Sequence, residues 1–423
     1  MENFKKLFGG DLRQFGMLFT LVGLVLLFQV LTGGLVLTPT NMMNLLNGNS
    51  YILVLAIGMV LVIIAGHIDL SVGSVAAFVG IVVAITMRDF NLPWWGGLLI
   101  GLAIGCLIGA WQGFWMSYVG IPGFIVTLSG YLLWRGANQF VGKSNTVPVD
   151  PDFQVIGAGY LPEWGPNTGF NNSTLLLGAL AIAALIFFQL RGRAKQRRIG
   201  AEVPALWITV TRISLLTAVL VYLTYMFASG RPGTSFPVSG LILVALVFVY
   251  GFLSQKTPIG RSVYAVGGNR HAAELSGVNS RTTYFLVMVN MSMLASLAGM
   301  MFVARSTASG PFDGVGWELD AIAAVFIGGA AVSGGVGTVI GSMVGGLVMA
   351  VLNNGLQLLG AGADWTQMIK GLVLLLAVAV DVWNKSQGRP SIVGLFTRKR
   401  RDTDDTPPPT EEPAPVRDVT TSI

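Results

Sequence analysis

Charge is scarce in this sequence. Of 423 residues only 11% are Asp, Glu, Lys or Arg, where a soluble domain carries about 25%. A chain of this length has room for two water-facing domains, but there are too few charges to cover them. The one cysteine, Cys106, sits inside an apolar stretch, which excludes a disulfide framework and any Cys/His metal spacing. The two histidines stand apart, His67 at the end of an apolar stretch and His271 in a polar loop. No His-Glu-x-x-His stretch and no Gly-x-x-x-x-Gly-Lys-Ser/Thr loop occurs, so neither an intramembrane hydrolase nor on-chain nucleotide use has its residues here. Carboxylates are nearly missing from the interiors of the apolar stretches, since Asp69, Glu318, Asp320 and Asp381 fall at or near their ends. That leaves no proton relay of the kind ion-coupled carriers place within their spans. Sodium coupling through backbone carbonyls stays open.

Apolar length is what the chain has in abundance. Hydrophobic residues make up 53% of it, in recurring stretches of about 20 residues, the length that crosses the hydrocarbon core. Spans are expected at 15–37, 51–66, 71–87, 93–116, 121–140, 173–190, 205–228, 237–253, 283–303, 316–331, 336–359 and 366–383. Some are short or Gly-rich, so an all-α polytopic bundle of about 10 to 12 crossings is expected. Lys5, Lys6 and Arg13 precede the first run, which is too long for a signal peptide and lacks a cleavage pattern, so it reads as a retained span.

An even count puts both ends on one side, and charge says which. Arg191, Arg193, Lys195, Arg197 and Arg198 follow the sixth span, Lys256, Arg261, Arg270 and Arg281 the eighth. Lys385, Arg389, Arg398, Lys399, Arg400, Arg401 and Arg417 follow the last. All fall on the face of the N-terminal basic residues, and short cytoplasmic loops are enriched in Lys and Arg. Both termini are therefore expected in the cytoplasm. The net charge of +6 then reflects orientation, not nucleic acid. The expected organisation is a cytoplasmic segment 1–14, a transmembrane region 15–384 and a cytoplasmic tail 385–423. Residues 402–423, rich in Pro, Thr, Asp and Glu, cannot bury enough apolar surface to fold. Residues 141–172 read as a polar external loop.

The chain has 55 glycines, dense at Gly328, Gly329, Gly334, Gly335, Gly337, Gly341, Gly345 and Gly346. This pattern fits tight helix packing or a broken segment lining a pathway. Gly66 to Gly73 interrupts the first half similarly, and paired interruptions can mark an internal repeat. Asp69 and Ser71 have the chemistry to cap the third span or to gate. Asn353, Asn354 and Gln357 are uncharged polar groups within a span, able to bind the hydroxyls of a solute or to bond across helices. Trp94, Trp95, Trp365 and Trp383 lie near span ends, where interface anchors sit.

The loop 254–282 is unlike the rest. Thr257-Pro258 opens a turn, Asn269 is placed to cap a short helix over Arg270–Leu275, and Gly277 fits its stop. Ala272, Ala273 and Ser276 would give that helix a face of small residues for another protein to approach, if the loop is more than a connection.

This loop, Thr257-Pro258-Ile259-Gly260-Arg261 through Gly277-Val278-Asn279, resembles the cytoplasmic loop of the permease subunits of bacterial monosaccharide ATP-binding-cassette importers, the ribose and xylose permease family. Gly66-His67-Ile68-Asp69-Leu70-Ser71-Val72-Gly73 is similar to that family's early motif. Gly334-Gly335-Val336-Gly337-Thr338-Val339-Ile340-Gly341 with Asn353-Asn354-Gly355-Leu356 is similar to its late one. His67 stands where many members have Gly, and Arg191–Arg198 with the span after it looks like an insertion relative to ribose-type permeases. Both departures resemble the xylose and multiple-monosaccharide branch. The resemblance implies a translocation subunit for xylose or a related pentose or hexose in the bacterial inner membrane. It implies a homodimer with a second permease copy, a cytoplasmic ATPase with tandem domains that uses ATP and Mg while this chain binds no cofactor, and an extracytoplasmic sugar-binding protein. It assigns Thr257, Gly260, Arg261, Tyr264, Gly267, Asn269, Ala272, Ala273, Ser276 and Gly277 to ATPase coupling, with Arg261 facing an acidic group of that partner. Asp69, Ser71, Asn353, Asn354 and Gln357 are its pathway candidates. The alternative is an ion-coupled secondary sugar transporter or facilitator.

Overall fold

The computed structural model describes residues 12–386 except 167, 201, 202, 204 and 231–233. Of the expected cytoplasmic segments 1–14 and 385–423, residues 1–11 and 387–423 lie outside the described residues. Every expected span holds a helix. In chain order these are α1 (Leu12–Leu31), α2 (Pro39–Ile64), α3 (Val72–Phe90), α4 (Trp94–Phe114) and α5 (Gly123–Val141), then a short α6 (Val155–Ala158). They continue as α7 (Asn172–Arg198), α8 (Leu206–Ala228), α9 (Val238–Lys256), α10 (Pro258–Gly268), α11 (Arg270–Leu275) and α12 (Ser280–Ser306). The last are α13 (Trp317–Ile327), α14 (Val339–Leu358) and α15 (Ala363–Ser386). Among the described residues, 8 helices are long and apolar enough to cross a membrane: α2, α3, α4 with its π-helical extension to Val119, α7, α8, α9, α12 and α14. The chain is thus an all-helical, polytopic bundle, as its composition demands.

α2 begins at Pro39, not near residue 51 as the hydropathy suggested. Its first turns carry Asn41, Asn47 and Asn49, which read as polar surface but are buried. Their amides are matched inside the bundle: Asn41 Nδ2 donates to Val36 O at 2.9 Å, Asn47 Oδ1 accepts from Ser239 Oγ at 2.6 Å, and Asn49 Nδ2 donates to Leu45 O at 2.9 Å. A polar group in lipid would be costly, but one paired between helices is not. The tenth span is shorter than expected. α13 ends at Ile327, and residues 328–338 run irregularly, with Gly329, Gly334 and Gly335 at positive φ.

The bundle centres on α2, α3 and α12. Glycines recur at every fourth position along α4, and they are why α12 lies so close. A Cβ on Gly105 would sit 1.9 Å from Ser296 Oγ, one on Gly109 2.6 Å from Val289 Cα, and one on Gly113 3.1 Å from Phe285 O. Small residues one turn apart let backbones touch, and packing of this kind holds helices together in a membrane. α7 and α8 sit at the periphery, with 11% and 6% of their apolar windows buried.

Part of the expected external loop folds back onto the bundle. Val147–Pro148 (β1) pairs antiparallel with Ala308–Ser309 (β2). Phe153 is fully buried, and Gly157 packs against the backbone of Met301 and Arg305.

Candidate functional site

The loop 254–282 folds as two helices, not as a turn followed by one helix. Thr257 is the N-cap of α10, its Oγ1 accepting from Gly260 N at 3.2 Å, and Pro258 takes the first helical position, where its missing N–H is harmless. A Cβ on Gly260 would meet Ser254 O at 2.2 Å, so α10 folds back tightly on the end of α9. Asn269 caps α11 as the sequence predicted, its Oδ1 accepting from Ala272 N at 3.0 Å. The helix stops at Gly277, with φ of +85°. The face of small residues is narrower than expected. Ala272 and Ser276 are exposed, with Ser276 Oγ donating to Ala272 O at 2.8 Å, whereas Ala273 is buried. Leu275, an apolar side chain 91% exposed, stands beside them. Arg261 is exposed.

α10 reaches both Gly-interrupted stretches. Tyr264 Oη donates to Gly337 O at 2.7 Å. Gly335 N donates to Ile64 O at 2.8 Å. A Cβ on Gly267 would lie 1.7 Å from Ile64 O and 3.0 Å from Gly335 N, and one on Gly334 3.0 Å from Gly267 O and 3.1 Å from Gly66 Cα. Three motifs far apart in sequence therefore meet backbone to backbone at one junction.

Above this junction the chain breaks into the bundle. Gly80 on α3 packs against Val303 and Ser309, while Gly73, at the start of α3, packs against Gly314 O and Glu318 Oε2. At 1.5 Å per helical residue, the segment after β2 descends about 10 Å along α3 before α13 starts. Irregular backbone at such depth is tolerated where protein surrounds it. Arg135 of α5 donates from Nη1 to Asp313 O, and Asn138 Nδ2 donates to Pro311 O at 3.1 Å. Nε and Nη2 of Arg135, Glu318 Oε2 and Trp134 Nε1 are buried with no hydrogen-bond partner among the described residues. Aromatic rings flank them: Tyr51 and Trp317 have centroids 4.3 Å apart, Phe302 and Trp317 4.6 Å, Phe78 and Trp134 5.1 Å.

The pathway candidates divide. Asp69 Oδ1 accepts from Ser71 N at 2.8 Å and Ser71 Oγ at 2.6 Å, and Gln112 Nε2 donates to Ser71 Oγ at 2.8 Å. Ser71 holds the N-cap position of α3, yet its hydroxyl caps no amide; the network fixes the turn and ties it to α4. Asn354 and Asn41 bond through both amides, at 2.8 and 3.0 Å, so Asn354 joins α14 to α2. Asn353 Nδ2 reaches Asn49 Oδ1 at 3.5 Å, and Gln357 is exposed. Asn353 also lies against Asp320, two residues along α13 from Glu318, so it borders the Arg135–Glu318 cluster. Arg135 and Lys370 were missed from sequence. The signal was present: each is a cation inside an expected span, costly there unless it has a function or a partner.

The protein family described as "branched-chain amino acid transport system / permease component" matches residues 41–378. The xylose transport system permease protein XylH of Haemophilus influenzae is 38% identical over 383 residues, 90% of this chain and 99% of that one. XylH of Escherichia coli is 37% identical over 372 residues, covering 88% and 92%. The ribose import permease protein RbsC of Escherichia coli is 32% identical over 350 residues, covering 83% and 87%. No solved structure matches the chain.

Proposed function

The chain belongs to this permease-component family, and from that premise we propose that it is the membrane-spanning subunit of a bacterial ATP-binding-cassette importer for xylose or a closely related pentose or hexose. It is a multi-pass protein of the cytoplasmic membrane, with both termini inside. A cytoplasmic ATPase with tandem cassette domains docks on α10 and α11 and supplies ATP and Mg; this chain binds neither. An extracytoplasmic binding protein delivers the sugar, and two permease copies form the assembly. The substrate assignment follows from what the XylH relatives are named for.

The observation that carries the reading is the junction of Gly267 with Ile64, Gly66, Gly334 and Gly335. A partner that pushes on α11 pushes, through α10, on both interrupted segments at once. The one that begins α3 and the one that precedes α14 lead to the Arg135–Glu318 level. Unpartnered donors and acceptors between aromatic rings suit a solute made of hydroxyl groups and ring faces, which supports a sugar path past Arg135, Glu318 and Trp134. The ATPase then drives alternation by its different affinity for two arrangements of this unit.

Reconstitution tests the proposal. Proteoliposomes holding this chain with its ATPase and binding protein take up labelled xylose only with ATP, and crosslinks from Ala272 or Leu275 reach the ATPase. Gradient-driven uptake by the chain alone would favour the secondary-carrier reading.

A further inference from the structure

Beside the docking helices lies a cavity of about 300 Å³. The π-helical turn after α4, the turn into α5, His67, Arg270, Arg281 and Tyr284 enclose it. Its lining contains guanidinium groups and no carboxylate. Arg270 has a partner just outside, with Nε 2.8 Å from Glu274 Oε1, and its guanidinium stands 5.8 Å from the Tyr284 ring centre. Glu274 also accepts from Ser280 Oγ at 2.5 Å. Arg281 makes no ion pair among the described residues.

Two further lining groups are buried without hydrogen-bond partners among the described residues, His67 Nε2 and Ser117 Oγ. His67 stacks edge-on against Tyr284 at 4.6 Å. Burial, and then the charge of Arg270, lower its pKa, so the ring is neutral and can donate from Nε2. Arg270, Arg281, His67 and Ser117 are all able to donate, and the group they suit is one that only accepts.

The position of the mouth narrows the source. On the side of the α4–α5 turn Phe114, Trp115, Tyr118 and Phe124 are 49%, 36%, 49% and 58% exposed. Aromatic side chains gather in this way at the headgroup level of a bilayer, and basic pockets between helices at the cytoplasmic side suit anionic headgroups. We propose that this cavity holds the phosphodiester headgroup of an anionic phospholipid from the cytoplasmic leaflet, gripped by Arg270 and Arg281 against His67 and Ser117. Because Arg270 opens α11, the bound lipid pins the docking helix to the turn between α4 and α5. The inference uses the orientation proposed above but not the identity of the cargo, and it holds whether or not the solute is xylose.

The test uses the full chain, purified in detergent and stripped of lipid. Phosphatidylglycerol, phosphatidylcholine and inorganic phosphate are added separately, and thermal stability and retained lipid by native mass spectrometry are read. Phosphatidylglycerol is expected to raise the melting temperature and remain bound, and phosphatidylcholine to do neither. Arg281→Gln is expected to weaken phosphatidylglycerol retention about tenfold, Arg281→Lys less, and Arg197→Gln, in the distant basic stretch of α7, not at all. The melting temperature of each variant without lipid shows whether it folds, and Ser117→Ala supplies a milder second variant. Equal stabilisation by both lipids, or unchanged retention in Arg281→Gln, overturns the proposal. A shift reproduced by inorganic phosphate alone overturns the lipid assignment in favour of a free-phosphate site. Arg281 shielded from chemical modification only by the ATPase, with no lipid effect, overturns it in favour of a protein contact.

Discussion

Lys370 donates from Nζ to Oδ2 of Asp320 at 2.9 Å, joining α15 to α13 through a pair whose aspartate side chain is 4% exposed. Asp320 lies two residues after Glu318 on the short helix that the broken segment leads into, so the pair ties that helix to α15.

Removing one member leaves the other charge buried. Lys370→Met is expected to destabilise the protein by about 3–5 kcal/mol, and the double variant Lys370→Met with Asp320→Asn to recover much of that loss. Melting temperatures in detergent check this; a double variant no better than the single would show that the pair is not the source of the loss.

Gly109 meets the backbone of α12, with Val289 Cα 2.6 Å and Met288 O 2.7 Å from where its Cβ would be. Gly109→Leu should therefore force the helices apart, costing about 1–3 kcal/mol or preventing insertion. Gly136 on α5 has nothing within 4 Å, so Gly136→Ala should be neutral or gain up to about 1 kcal/mol of helix propensity. Expression level and melting temperature separate the two.

On α10 and just after α11, two glycines should behave differently. Gly267→Ala places a methyl against Ile64 O and is expected to abolish uptake and lower the melting temperature. Gly277 has φ of +85° and open space around it, so Gly277→Asn should be tolerated and Gly277→Val should cost about 1–2 kcal/mol, locally. Gly277→Trp adds bulk at a position where a Cβ has open space around it. Loss of ATP-driven uptake beyond that seen for Gly277→Val would therefore report a partner's surface.

Arg135→Met removes the unpartnered guanidinium nitrogens and the bond to Asp313 O. Transport should fall at least as far as a hot-spot truncation implies, about 2 kcal/mol in sugar affinity, while ATPase binding at α11 is unchanged. Initial uptake rates against sugar concentration, with a pull-down of the ATPase, check both halves.

Much of this was legible in the residues. Apolar length placed a helix in every span, and Asn269 and Gly277 fixed the ends of α11 because capping is local chemistry. The start of α2 was not legible, since Asn41, Asn47 and Asn49 look like surface until their partners on other elements are known. Arg135 bonds a residue 178 positions away and Lys370 one 50 away; a cation inside a span flags each, but no local pattern names its partner. The four-residue glycine period of α4 was open to inspection, but the abundance of glycine hid it. For the pathway candidates, residue type gave polarity and left partnership undecided, which is why Asn354 resolves to a helix tie and not to the cluster.

The meeting of Gly66, Gly267 and Gly334 has a mechanical corollary. No side chain stands between these three strands of backbone, so none can change rotamer to absorb a displacement. A shift of the docking helices must move peptide units directly. The joint therefore has no side-chain slack, and on the proposed reading a push on α10 passes undamped into both interrupted segments.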